Sequence, residues 1–194
     1  MRETEAKAVI DSMDPYEKLL IYAAAARGEE LGSAIKMQRL MFFCRYALPD
    51  GYYEAMYFET QKNGPYSQVV DKGLHSLGDK NLIDLPSCSL TEQGLEVSHY
   101  AVPDEPVKSV VDNYKKFICD LNEDELLAPI YVSFPEYQSN SDIWDAIKKN
   151  RIEIATSLMR KRAVSFSKAV EISGMDPDEF EGHLIEENVR WRVV

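Results

Sequence analysis

Between Ala34 and Leu48 the chain reads Ala-Ile-Lys-Met-Gln-Arg-Leu-Met-Phe-Phe-Cys-Arg-Tyr-Ala-Leu. Met37, Leu40, Met41, Cys44 and Leu48 recur there at the spacing of one helix face. Ile35, Phe43 and Ala47 widen that face until only Lys36, Gln38, Arg39 and Arg45 remain clearly polar. So much apolar area does not suit a surface helix, so this one is expected to pack on two sides as the core helix. Ser33 stands at its N-cap position, and Pro49-Asp50-Gly51 stops it. A chain built on such a helix buries a real core, and 45% hydrophobic residues in 194 are enough to do so.

The other elements follow from caps and breaks. Asp14-Pro15-Tyr16-Glu17 combines an Asp cap, Pro in the first turn and Glu at the capping-box position, and the predicted helix runs to Gly28. Tyr53 to Gln61 is aromatic-rich and partly alternating, as in a strand, and Asn63-Gly64-Pro65-Tyr66 reads as a turn. Ser67 caps a helix carrying Val69, Val70, Leu74 and Leu77. Residues 82–91 read as a short hairpin, and Thr91 starts another helix. Helix, helix, strand, helix, hairpin, helix is the order of a winged helix, with residues 85–90 as the wing.

Beyond the proline-bearing joint at 102–106 the pattern is helical again. One helix is expected around Val107–Cys119, and a second is capped by Asn122 and broken or kinked by Pro129. After a loop holding Phe134 to Tyr137 and Ser139 to Asp142, a long helix is expected from about Asp142 to Arg160. The tail places one helix at 165–173, Gly174 as a turn, and a second helix capped by Asp176 with Pro177 first. Val170, Gly174 and Phe180 have the spacing of a helix-turn-helix. The fold class is therefore mainly α with a small β wing. A winged-helix-like domain over 1–140 is followed by a C-terminal helical region over 141–194 that ends in a short helix-turn-helix.

Lys36-Met37-Gln38-Arg39-Leu40-Met41-Phe42-Phe43, then Phe58, then Gly64-Pro65-Tyr66-Ser67, then Leu90-Thr91-Glu92-Gln93-Gly94, resembles the Panacea (SocA-like, YwgA-like) family of prokaryotic proteins. Tyr131 with Phe134-Pro135-Glu136-Tyr137 is similar to the Tyr-Pro-Glu-Tyr region of its YwgA-like branch, so the resemblance spans roughly 14–145. It implies a helical, winged-helix-like domain found in antitoxins and phage-associated genes, without established catalysis. It also marks Lys36, Gln38, Arg39, Gly64, Pro65, Tyr66 and Ser67 as the surface that carries the family motif. Residues 165–188 resemble, more weakly, a small antitoxin-type helix-turn-helix family, with Val170 and Ile172 at positions where Ala and Leu are usual.

Charge bears on partners. A net charge of −11 disfavours nucleic acid, which is gripped by Lys and Arg on phosphates. One local exception exists: Lys148, Lys149, Arg151, Arg160, Lys161, Arg162 and Lys168 face a single acid, Glu153, and form the candidate DNA-binding set. Against it, the second tail helix carries Asp178, Glu179, Glu181, Glu186 and Glu187, which a groove would repel. The basic run is otherwise the solvated face of a long helix, or pairs with the acidic tail of a second protomer.

His75, His99 and His183 stand apart, and no hydrolase, phosphate-loop or dinucleotide motif is present. Cys44, Cys88 and Cys119 form no C-x-x-C pair and suit structural thiols. No run approaches the roughly 18 apolar residues of a membrane span, and the charged N-terminus has no signal-peptide core. The expectation is a cytoplasmic, non-enzymatic regulatory or antitoxin-like protein without cofactor or metal. It would dock on a protein partner such as a basic toxin, with DNA-binding transcriptional regulation as the alternative and a homodimer as its assembly.

Overall fold

A computed structural model describes residues 3–49, 51–52, 56–139 and 141–191. The described residues are mainly helical, with two small antiparallel strand pairs. They divide into two units, Met1–Glu59 with Pro65–Cys119 and Thr60–Gly64 with Asp120–Val194. The division thus falls at Cys119, earlier than the expected 140. The reason is the helix at Glu123–Ser133, whose buried Leu126, Leu127, Ile130 and Tyr131 pack with the helices that follow it.

The first unit contains α1 (Glu3–Asp11), α2 (Pro15–Ala25), α3 (Ala34–Cys44), α4 (Gln68–Asp79), α5 (Glu92–Ser98) and α6 (Glu105–Cys119). The expected caps form. The Asp14 side chain accepts from the Tyr16 and Glu17 amides, closing a capping box at α2, and Ser33 accepts from Lys36 at α3. In the core helix α3, Met37, Leu40, Met41, Phe42 and Cys44 are buried, but so are Gln38 and Arg39. It is thus packed on its polar side as well.

The expected strand at 53–61 forms only as β1 (Glu59–Gln61), with 53–55 outside the described residues. Gly64–Tyr66 is not the turn itself but the partner strand β2. The wing is present as β3 (Ile83–Asp84) and β4 (Ser89–Leu90), antiparallel with Ile83 opposite Leu90.

Gly94, just inside α5, locks this wing to the helix. A Cβ there would lie 1.8 Å from the Leu82 carbonyl oxygen, so no other residue fits. That same carbonyl accepts the Thr91 amide at 3.1 Å, while the Thr91 hydroxyl donates to Asn81 O at 2.7 Å and accepts from Gly94 N at 2.9 Å. The Leu-Thr-x-x-Gly step is therefore the geometry of one turn.

The second unit contains α7 (Glu123–Ser133), α8 (Trp144–Lys149), α9 (Arg151–Arg160), α10 (Phe166–Ser173) and α11 (Pro177–Glu186). Two helix expectations are corrected here. α7 continues through Pro129, because the apolar residues on either side are wholly buried and hold it against the missing hydrogen bond. The long helix expected at 142–160 is two helices, interrupted at Asn150, whose φ −111 and ψ 17 leave the helical region. The tail expectation holds: Gly174 ends α10 at φ 72, and Asp176 caps α11 with Pro177 in the first turn; the structure adds Ser165 as the cap of α10.

Each unit contains the same device. In the first, the buried Glu17 carboxylate accepts from the Asp14 amide, the Ser76 hydroxyl and the Lys80 ammonium. In the second, buried Glu125 accepts from the Asn122 amide at 2.8 Å, the Ser157 hydroxyl at 2.6 Å and the Lys161 ammonium at 2.7 Å. Both glutamates are the third residue of a capping box, and both receive Ser and Lys four apart at the end of another helix. Burial pushes each carboxyl up, but the Lys and Ser hydrogen bonds and the capping amide outweigh it and hold each below the usual carboxylate range.

Candidate functional site

The resemblance-bearing residues are brought together, but as a buried latch and not as the surface expected. Gln38 Nε2 donates to Ser67 O at 3.1 Å, and Ser67 N donates back to Gln38 Oε1 at 2.9 Å. Arg39 Nη1 donates to Pro65 O at 2.8 Å. Gln38, Arg39, Gly64, Pro65 and Ser67 are buried, while Lys36 and Tyr66 are half-buried. Two short motifs nearly thirty positions apart therefore meet so that α3 holds the start of α4. Side chains that satisfy buried backbone groups this way specify the fold. They leave little for a partner to touch.

The cations of 148–168 do not form one basic face. Lys148 pairs with Asp145 at 2.8 Å and lies 5.7 Å from the Trp144 ring centroid. Arg151 donates to the last carbonyls of α10, Ile172 O at 2.5 Å and Glu171 O at 2.7 Å. Arg160 pairs with Glu187 at 2.6 Å, and Lys161 with Glu125. Lys168 pairs with Glu171 and donates to Ser133 Oγ at 3.2 Å. These partners lie in the same unit of the same chain. Five of the seven cations are engaged, and only the side chains of Lys149 and Arg162 lack a hydrogen bond or ion pair among the described residues. On α11, Asp178, Glu179 and Glu186 are exposed. In the first unit α4 presents Lys72, His75 and Asp79, close to neutral.

The thiols are poorly placed for nucleophilic work. Cys44 and Cys88 are buried, and burial pushes the Cys44 thiol up strongly and that of Cys88 up to about 11.

Two groupings remain that patterning did not reveal. In the first unit the Arg45 guanidinium lies 4.0 Å from the Phe42 ring centroid, 4.4 Å from Tyr46 and 5.1 Å from Phe58. Arg45 also donates to the Tyr46 hydroxyl. Tyr46 is 50% exposed, and Tyr57, next to Phe58 in the chain, is 75% exposed. In the second unit a cleft of about 520 Å³ is lined by Met159, Arg162, Val164, Ser165, Phe166, Arg190 and Trp191. Arg190 and Trp191 lie beyond the last helix, where no periodicity or cap singles them out. No protein family, curated protein or solved structure matches this chain.

Proposed function

We propose that this protein is a non-enzymatic regulatory, antitoxin-like module that acts by docking on a basic protein partner. The observation that carries this reading is the engagement of five of the seven clustered cations inside their own unit. Phosphate binding needs cations free to replace counterions, whereas a chain of net charge −11 steers cationic partners onto itself. Tyr46, held against Arg45, and the exposed Tyr57, next to Phe58 in the chain, supply aromatic anchors of the kind that dominate protein interfaces.

The helix and wing order of the first unit favours DNA binding as the second reading. One experiment separates them. The tagged chain is recovered from its native host with and without nuclease, alongside a Tyr46→Ala/Tyr57→Ala variant. A single small basic protein, retained in molar proportion after nuclease and lost from the variant, is the expected result. Recovery of the chain's own upstream DNA, with no protein retained after nuclease, overturns protein docking in favour of transcriptional regulation.

A further inference from the structure

We infer that the cleft between the end of α9, the start of α10 and the segment after α11 binds a nucleoside monophosphate, the phosphate on its two arginines and the base against its aromatic wall. The cleft lies wholly in the second unit and has the volume of a small-ligand site. Among the described residues its lining includes no carboxylate, although the chain holds 33 Asp and Glu. It does include two guanidiniums, Arg162 and Arg190, and neither has an ion pair or hydrogen bond among the described residues. Arg151, Arg160, Lys161 and Lys168 are all satisfied nearby, so this pair stands apart. Guanidinium is planar, weakly hydrated and matched to phosphate oxygens in pairs.

The backbone under Arg162 is independent support. Among the described residues three helix ends close with the same turn: Leu82 N to Leu77 O, Ala163 N to Leu158 O and Val189 N to Leu184 O, each 2.9 Å. Each turn puts one non-glycine residue in the left-handed region, Asn81 at φ 57, Arg162 at φ 55 and Asn188 at φ 54. Asparagine tolerates that conformation and arginine is not its usual occupant. The turn beside the cleft is the one that carries the cation. Arg27 also stands at φ 63, where its guanidinium pairs with Glu29, whereas the Arg162 guanidinium has no such partner among the described residues.

Phe166 and Trp191 stack at 4.4 Å between centroids and 16° between planes, forming an aromatic wall. Nucleobases stack on such aromatic surfaces whatever their sequence, because every base has a π-face. Ser165, the N-cap of α10, and Phe166 also line the cleft, so the positive end of that helix adds to the field an anion meets. This ligand site is independent of the protein-docking role and stands or falls separately from it.

The test is isothermal titration calorimetry on the full chain with adenosine monophosphate, adenosine and inorganic phosphate as probes. Arg162→Asn is the informative variant, because asparagine already occupies the other two turns and so keeps the fold. Saturable binding of adenosine monophosphate is expected, at least tenfold tighter than either adenosine or phosphate. Binding should weaken at least tenfold in Arg162→Asn and in Arg190→Gln, with unchanged circular dichroism. No saturable heat with the monophosphate overturns the proposal, as does equal affinity for adenosine, or undiminished affinity in both variants.

Discussion

Replacing Glu125 by glutamine removes one charge from the second unit while keeping the side chain's shape. The wild-type carboxylate is 2% exposed and accepts three hydrogen bonds, from Asn122 N, Ser157 Oγ and Lys161 Nζ. A glutamine can place its oxygen toward Asn122 and Lys161 and its amide toward the Ser157 hydroxyl. What is lost is then the charge-assisted part. Hydrogen bonds to a charged group contribute about 1.5–3 kcal/mol. The Lys161 side chain is 38% exposed and regains hydration once unpaired, which discounts its share. The expected loss is about 2 kcal/mol.

Both tryptophans of the chain, Trp144 and Trp191, lie in the second unit, so urea unfolding followed by tryptophan fluorescence watches the right structure. The difference must also depend on pH. The folded-state carboxyl is held below its ordinary value, so its stabilisation is fully present above the unfolded glutamate pKa, about 4.3, and is lost as pH falls through the lower folded value. The gap between wild type and Glu125→Gln should therefore be full at pH 7 and close progressively below about pH 4. A gap under about 0.5 kcal/mol at pH 7, or one that persists unchanged at pH 3, refutes the reasoning.

Three further outcomes are expected. Gly94→Ala drives a Cβ against Leu82 O and should destabilise the first unit by about 3 kcal/mol or more, read as lost hydrogen-exchange protection in α5 and β3. Gln38→Leu leaves the buried Ser67 amide and carbonyl without side-chain partners, and should cost about 2–4 kcal/mol in urea unfolding followed by circular dichroism. Lys115 is wholly buried, donates to Ala24 O at 2.8 Å and is pushed down to about 8 by that burial. Its folded value lies below its unfolded value near 10.4, so wild-type stability should rise from about pH 8 to 10 relative to Lys115→Met. A constant difference across that range would rule the titration out.

How far the sequence reached depended on whether a signal was local. Caps at Asp14, Ser33, Ser67, Thr91, Asn122 and Asp176 were readable, because a capping side chain accepts from an amide only two or three residues on. The wing and the glycine turn at 174 were readable for the same reason. Pro129 and Asn150 misled because propensity is weak. Burial on both sides overrode the proline, and the helix expected through 150 gave way where no apolar face held it. The first unit's boundary was placed late because nothing near 120 marks which helices α7 will pack against.

The site residues divide along the same line. The motif residues Gln38, Arg39 and Ser67 could be picked out by their resemblance to a family motif, but only the tertiary structure decided that they are joined inside the core. The run of cations from Lys148 to Lys168 was visible as a charge excess. Whether Arg160 and Lys161 stay free is settled by partners far along the chain, Glu187 and Glu125. Arg190 and Trp191 join Arg162 and Phe166 only through the fold. Helix type, capping and net charge are properties of neighbouring residues, so the sequence by itself determined a mainly helical, acidic chain with a wing. Which charges remain free and which aromatics line a cleft depend on long-range pairing, and only the tertiary structure decided those.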